Sequence, residues 1–234
     1  RVDNNYGLPN KIYIMFTTEP YSSVGGHKGF SNIVEKGFYH ENLVIEKPLT
    51  LASRALFNSV EELGTWFVYT GDGYDVFNDN ILDTKIDGSG GEGSVILINS
   101  PENACIEVTI FGFTIQGGAG TEGSIILDED LDIPLEDIFG GGILSNNASP
   151  SINYNYIRDC GLCDDRSSVC AGEGGALNMG SGIDLGIRGS KYTGSRDCQD
   201  TDIDLSNNFY SGNTAIYGNT LASTNFSGQL DMTS

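Results

Sequence analysis

The side chains with the most chemistry to offer are five cysteines and several runs of carboxylates. Cys160, Cys163, Cys170 and Cys198 sit in two loop-like stretches, while Cys105 stands alone in a strand-like one. In an oxidising compartment the four clustered thiols would form two disulfides, with three connectivities that the spacing leaves open. Each such cross-link is worth about 2–4 kcal/mol. Cys160-x-x-Cys163 also has the first spacing of a four-thiolate zinc site, but Cys170 and Cys198 lack the matching second one. No thioredoxin-like context supports redox catalysis. Cys105 reads as a small, inert core hydrophobe. Among the acids, Asp128, Asp130 and Asp132 lie together with Glu129, followed by Glu136 and Asp137, and Asp200, Asp202 and Asp204 alternate further on. Oxygen-rich groups of this kind are candidate ligands for Ca²⁺, which takes six to eight oxygens from several segments. Neither run has the glycine and closing glutamate of an EF-hand.

Bases are few: Arg54, Lys85, Arg158, Arg166, Arg188, Lys191 and Arg196, none of them beside an acidic cluster in a regular stretch. Asp83, Lys85 and Asp87 alternate, which would turn all three to one solvated face. His27 and His40 have no nucleophile close in sequence. No constellation for general acid–base or nucleophilic catalysis is therefore legible. The net charge of −20 would repel nucleic acid and anionic membranes, as well as polyuronates unless a cation bridges the two. No apolar run is long enough to span a bilayer. Residue 1 is not preceded by a basic and apolar leader, so the chain reads as a mature form or a piece of a longer one.

What would position these residues is a repeated strand frame. Ile152, Asn155, Ile157 and Cys160 in SINYNYIRDC share their spacing with Ile110, Phe113, Ile115 and Gly118, and again with Leu205, Asn208, Tyr210 and Asn213. Glycine-led entries recur as GGGIL at 140–144 and GGALN at 174–178. The 32 glycines and 38% hydrophobic content suit a structure with many tight corners and a narrow interior. No stretch carries a helical period. Short strands recurring between fixed punctuation mark a stacked-repeat architecture. In such a stack Ile110, Ile115, Ile152, Ile157 and Leu205 point inward, and Asn155 and Asn208 form a ladder whose amides bond the backbone at a bend.

The phrase Gly37-Phe38-Tyr39, Glu41-Asn42-Leu43-Val44-Ile45, Lys47-Pro48-Leu49-Thr50-Leu51 resembles the first full coils of pectate-lyase-like, right-handed parallel β-helix proteins. Thr84–Gly88 and Gly112–Ile115 resemble later coils of that family, and the GGGI pieces are similar to the GGA-I repeats of polymorphic outer-membrane proteins. The resemblance covers about 31–120, 139–160 and 174–221. It implies an all-β, single-stranded right-handed parallel β-helix over 1–234. Residues 1–30 are irregular, and corner insertions fall near 54–80, 119–139, 158–173 and 186–202. Removing the insertions leaves about six to eight coils at ~20–25 residues each. The architecture hosts lyases, hydrolases, adhesins and fibres, and no catalytic residue of its enzymes carries over to a position here. The expectation is a secreted or cell-surface, non-catalytic structural or adhesive module of a bacterium, able to self-associate along the coil axis. The alternatives are a polysaccharide lyase or glycoside hydrolase working in a groove, and a Ca²⁺-dependent carbohydrate-binding module. An aromatic run, Trp66, Phe67 and Tyr69, would cover the N-terminal edge, pack beneath a loop or offer a stacking platform for sugars.

Overall fold

Short extended segments with buried alternate residues dominate the chain. The computed structural model describes residues 30–71, 73–101, 104–126, 134–161, 182–187, 202–215, 217–224 and 229–233. In chain order the first described strands are β1 (Phe30–Val34), β2 (Gly37–His40), β3 (Leu43–Ile45) and β4 (Leu49–Ser53). A 3-10 turn (Arg54–Phe57), helix α1 (Val60–Gly64), a hairpin of β5 (Phe67–Tyr69) and β6 (Tyr74–Val76), and helix α2 (Asp79–Leu82) then intervene. The strands resume with β7 (Thr84–Asp87), β8 (Ile96–Asn99), β9 (Glu107–Phe111) and β10 (Thr114–Gln116). A second hairpin follows, of β11 (Thr121–Ile126) and β12 (Pro134–Phe139), and then β13 (Ile143–Asn146), β14 (Ser149–Asn153) and β15 (Tyr156–Arg158). The last described strands are β16 (Ile183–Ile187), β17 (Ile203–Asp204), β18 (Phe209–Ser211), β19 (Leu221–Thr224) and β20 (Leu230–Asp231).

Apart from the two antiparallel hairpins, these strands form three parallel sheets. The first sheet runs β1-β4-β9-β14-β17-β20, the second β2-β7-β10-β15-β18 and the third β3-β8-β13-β16-β19. The chain thus visits first, second and third sheet in an unvarying cycle, moving one strand along each sheet at every pass. The expected all-β class holds, and the stretch 31–53 carries four strands where the pattern alone suggested two. KIYIMF at 11–16, read as a strand, lies outside the described residues.

Register turns the alternation of each strand into columns. In the first sheet Leu51, Ile110 and Ile152 are successive partners. In the second, Tyr39, Ile86, Ile115, Ile157 and Tyr210 line up. Leu43, Ile96, Ile143, Ile183 and Leu221 do so in the third. Nearly all of these side chains are buried in one core between the sheets. Branched aliphatics fill such columns well, because identical shapes repeat at the strand spacing of about 4.8 Å.

The corners repeat as faithfully as the strands. Between first and second sheet, the left-handed conformation falls on Gly112, then Tyr154, then Asn207 in three successive passes. At the far end of the second sheet it falls on Gly117, Asp159 and Gly212. Between second and third sheets the backbones almost touch: a Cβ on Gly118 would lie 2.0 Å from the Gly141 carbonyl oxygen. Only glycine permits that approach.

Candidate functional site

Alternation that buries one half of each strand displays the other half. On the outer face of the second sheet, register aligns His40, Asp87, Gln116, Arg158 and Ser211 in one row. Beside it runs a second row of Phe38, Lys85, Thr114, Tyr156 and Phe209. The polar row is wired from strand to strand. Gln116 Nε2 donates to Asp87 Oδ2 at 2.8 Å, and Gln116 Oε1 accepts from Arg158 Nε and Nη2 at 3.1 and 3.0 Å. Arg158 also pairs with Asp159 at 3.4 Å and lies over the Tyr156 ring, 5.4 Å from its centroid. Tyr156 and Ser211 share a hydroxyl hydrogen bond of 2.8 Å.

Asp87 was expected on a solvated face with Asp83 and Lys85, and it is buried instead, at 5% exposure. Burial alone would raise its pKa. Hydrogen bonds from the Ser89 side chain and backbone, from Gln116, and the charge of His40 outweigh that and hold the carboxyl below its ordinary range. The physical reason is register: Gly117 packs a bare Cα over the Asp87 carboxylate, where a Cβ would come within 2.8 Å of Oδ1. Asp83 is exposed and pairs with Lys36 at 3.3 Å.

The aromatic row is roofed by the 54–80 insertion. Phe67 and Tyr156 each stack on Phe209 with centroids 5.2 Å apart, and Trp66 meets Phe67 and Tyr154 edge-on. Trp66, Ala55 and Ile81 make a small second core, separate from the one between the sheets. The Trp66 run therefore packs against Tyr154, Tyr156 and Phe209 on the flank of the second sheet rather than over the N-terminal edge. Trp66 is buried and Phe67 half-buried, whereas Tyr69 is 61% exposed on the hairpin.

Asn155 and Asn208 form one ladder. The Asn155 side-chain oxygen accepts from Phe113 N at 3.0 Å, and its amide donates to the carbonyls of Ile110 and Asn153. Asn208 Oδ1 accepts from Asn155 N and Nδ2, and its own amide donates to Ile152 O and Leu205 O. Ile110, Ile115, Ile152, Ile157 and Leu205 are all buried in the core.

Cys160 departs from expectation. It is a buried thiol rather than half of a disulfide, and burial pushes its pKa up to about 12. It occupies the position after β15 that Gly118 holds after the neighbouring strand β10, with its N–H donating to Asn213 Oδ1 and its thiol to Arg158 O. Arg158 closes β15 and Cys160 follows at the corner, while residues 162–173 of the expected insertion lie outside the described residues. Cys105 is only half-buried, which does not fit an inert core hydrophobe. Cys163, Cys170 and Cys198 lie outside the described residues, as do Asp128, Asp130, Asp132 and Asp200. Asp202 and Asp204 alternate outward around buried Ile203. They accept backbone N–H groups, from Gln229 at 3.3 Å and from Ser206 at 2.9 Å. Among the described residues no three His, Cys, Asp or Glu side chains gather into a metal-binding group, and no helix is long and apolar enough to cross a membrane.

The outward row escaped sequence reading because its members come from five strands far apart in the chain; only register assembles them. Comparison with family models, with curated proteins and with solved structures gives no match.

Proposed function

We propose that the cycle of three parallel sheets is a single right-handed parallel β-helix. In this reading the chain serves as a non-catalytic structural or adhesive module, secreted or displayed on a bacterial surface. The observation that supports the reading is the wiring of the outward row. Asp87, Gln116 and Arg158, which share this face with His40, spend much of their hydrogen-bonding capacity on one another across successive strands. A carboxyl held below its ordinary range is a poor proton donor at neutral pH. An Arg clamped by two bonds to a glutamine amide is a brace between coils more than a substrate clamp.

A polysaccharide lyase or glycoside hydrolase is the second reading, favoured by His40, Asp87 and Arg158 sharing one outer face. Incubation with polygalacturonate, alginate and neutral β-glucan, with and without Ca²⁺, separates the two. The scaffold reading expects no new reducing ends and no unsaturated products from any of them. Turnover that disappears in Asp87→Asn would overturn it in favour of the enzyme.

A further inference from the structure

The 54–80 insertion does more than roof the aromatic row: together with Lys36, just before β2, it lines an open cleft of about 380 Å³. That volume falls in the range of small-molecule sites, about 300–1,000 Å³. Trp66 forms part of its wall, and Phe77, 56% exposed, stands at its side. Backbone bonds from Phe77 N and Asn78 N to Trp66 O, the first at 2.7 Å, hold the two aromatics together. The polar part of the lining is already organised. Asn58 Oδ1 accepts from the amides of both Asn78 and Asn80, at 3.2 and 3.1 Å, and Glu62 lines the same cavity. Glu62 is fixed in turn by the capping box it forms with Ser59.

We propose that this cavity binds a neutral oligosaccharide, with a pyranose ring against Phe77 and hydroxyls on the Asn58, Asn78, Asn80 and Glu62 network. Aromatic faces take the apolar side of a sugar ring, and rigid amides and carboxylates take its hydroxyl pairs without an ordering cost. Glu62 and Asp79 oppose the single cation Lys36 in the lining, which already pairs with Asp83. A uronate would meet that acidity and the net charge of −20, so the site selects against anionic sugars. The site deepens the adhesive reading above, giving the surface module something to hold, yet it does not depend on handedness or on the outward row.

Trp66 is the only tryptophan of the chain, so its emission reports this cavity directly. Titration with cellohexaose, mannohexaose and maltohexaose, with hexagalacturonate as the charged comparator, is the test. At least one neutral hexamer should shift Trp66 emission saturably, with or without chelator, and hexagalacturonate should not. Phe77→Ala, at an exposed position that the fold does not need, should weaken that binding about tenfold. Val68→Ala, on the exposed hairpin outside the cavity, should leave it unchanged. A flat response to every neutral hexamer, equal binding of hexagalacturonate, or undiminished affinity in Phe77→Ala would overturn the proposal. None of these outcomes touches the scaffold reading, whose own test is turnover.

Discussion

Asn155 shows how a single residue can join three successive passes of the chain. Its oxygen takes the Phe113 N–H, its amide serves two carbonyls, and its own N–H goes to Asn208. Asn155→Ala would leave several buried backbone groups without partners, at about 1–3 kcal/mol for each group. We expect a loss of about 2–4 kcal/mol in urea unfolding, against less than about 0.5 kcal/mol for Val60→Ala, at a position 88% exposed. Asp87 makes the complementary electrostatic prediction. Its folded pKa is depressed, so it stabilises the protein above the ordinary carboxylate range and that contribution is lost as pH falls through the folded value. Asp87→Asn should therefore flatten the acid side of a stability–pH profile and leave the slope near neutrality unchanged. An unaltered acid limb would show that the Gln116 and Ser89 bonds do not single out the ionised form.

Individual elements divide into those that stack and those that decorate. The corner between second and third sheets belongs to the first kind. Gly118 sits 2.0 Å, by its missing Cβ, from Gly141 O, and Gly182 stands 2.4 Å from Thr220 O in the same way. Both distances are to backbone, which cannot swing aside. Gly118→Ala should cost at least the 1–3 kcal/mol typical of overpacking, read as a lowered denaturation midpoint. Gly90→Ala, where nothing lies within 4 Å of the new methyl, should shift it by less than about 0.5 kcal/mol. The hairpin of β5 and β6, the 3-10 turn and the two short helices are of the second kind. They bury Trp66 against the flank of the stack and shape the cavity without entering the central core.

Across the whole molecule, the features legible in the sequence are those with a short period. Alternating Ile and Val announced the columns, and the spacing Ile–Asn–Ile announced the asparagine ladder, because both follow from strand geometry within a few residues. Cys160 was readable in two ways. Its place three residues after Ile157 matched Gly118 after Ile115 and Asn213 after Tyr210, which puts it in the coil. Its place three residues before Cys163 suggested a cross-link. Register prevailed, since a residue at that corner is enclosed on all sides by neighbouring coils. The burial of Asp87, the outward row and the amide cluster around Asn58 stayed hidden for a common reason. The first two depend on which strand lies beside which, and the amide cluster on how the 54–80 insertion folds back on itself over about twenty residues; local pattern encodes neither. Charge alternation around Lys85 could say which side of the strand faces out, but not what the insertion and the next coil lay over it.

The central claim is that neighbouring strands in the three sheets run parallel and in the stated register. Methyl-labelled Ile, Leu and Val with long-range NOE spectroscopy tests it most directly. The account predicts contacts Leu49–Val108 and Leu51–Ile110 in the first sheet, and Ile86–Ile115–Ile157 in sequence in the second. Contacts that pair Leu49 with Ile110 and Leu51 with Val108, the reversed order of antiparallel strands, would contradict it.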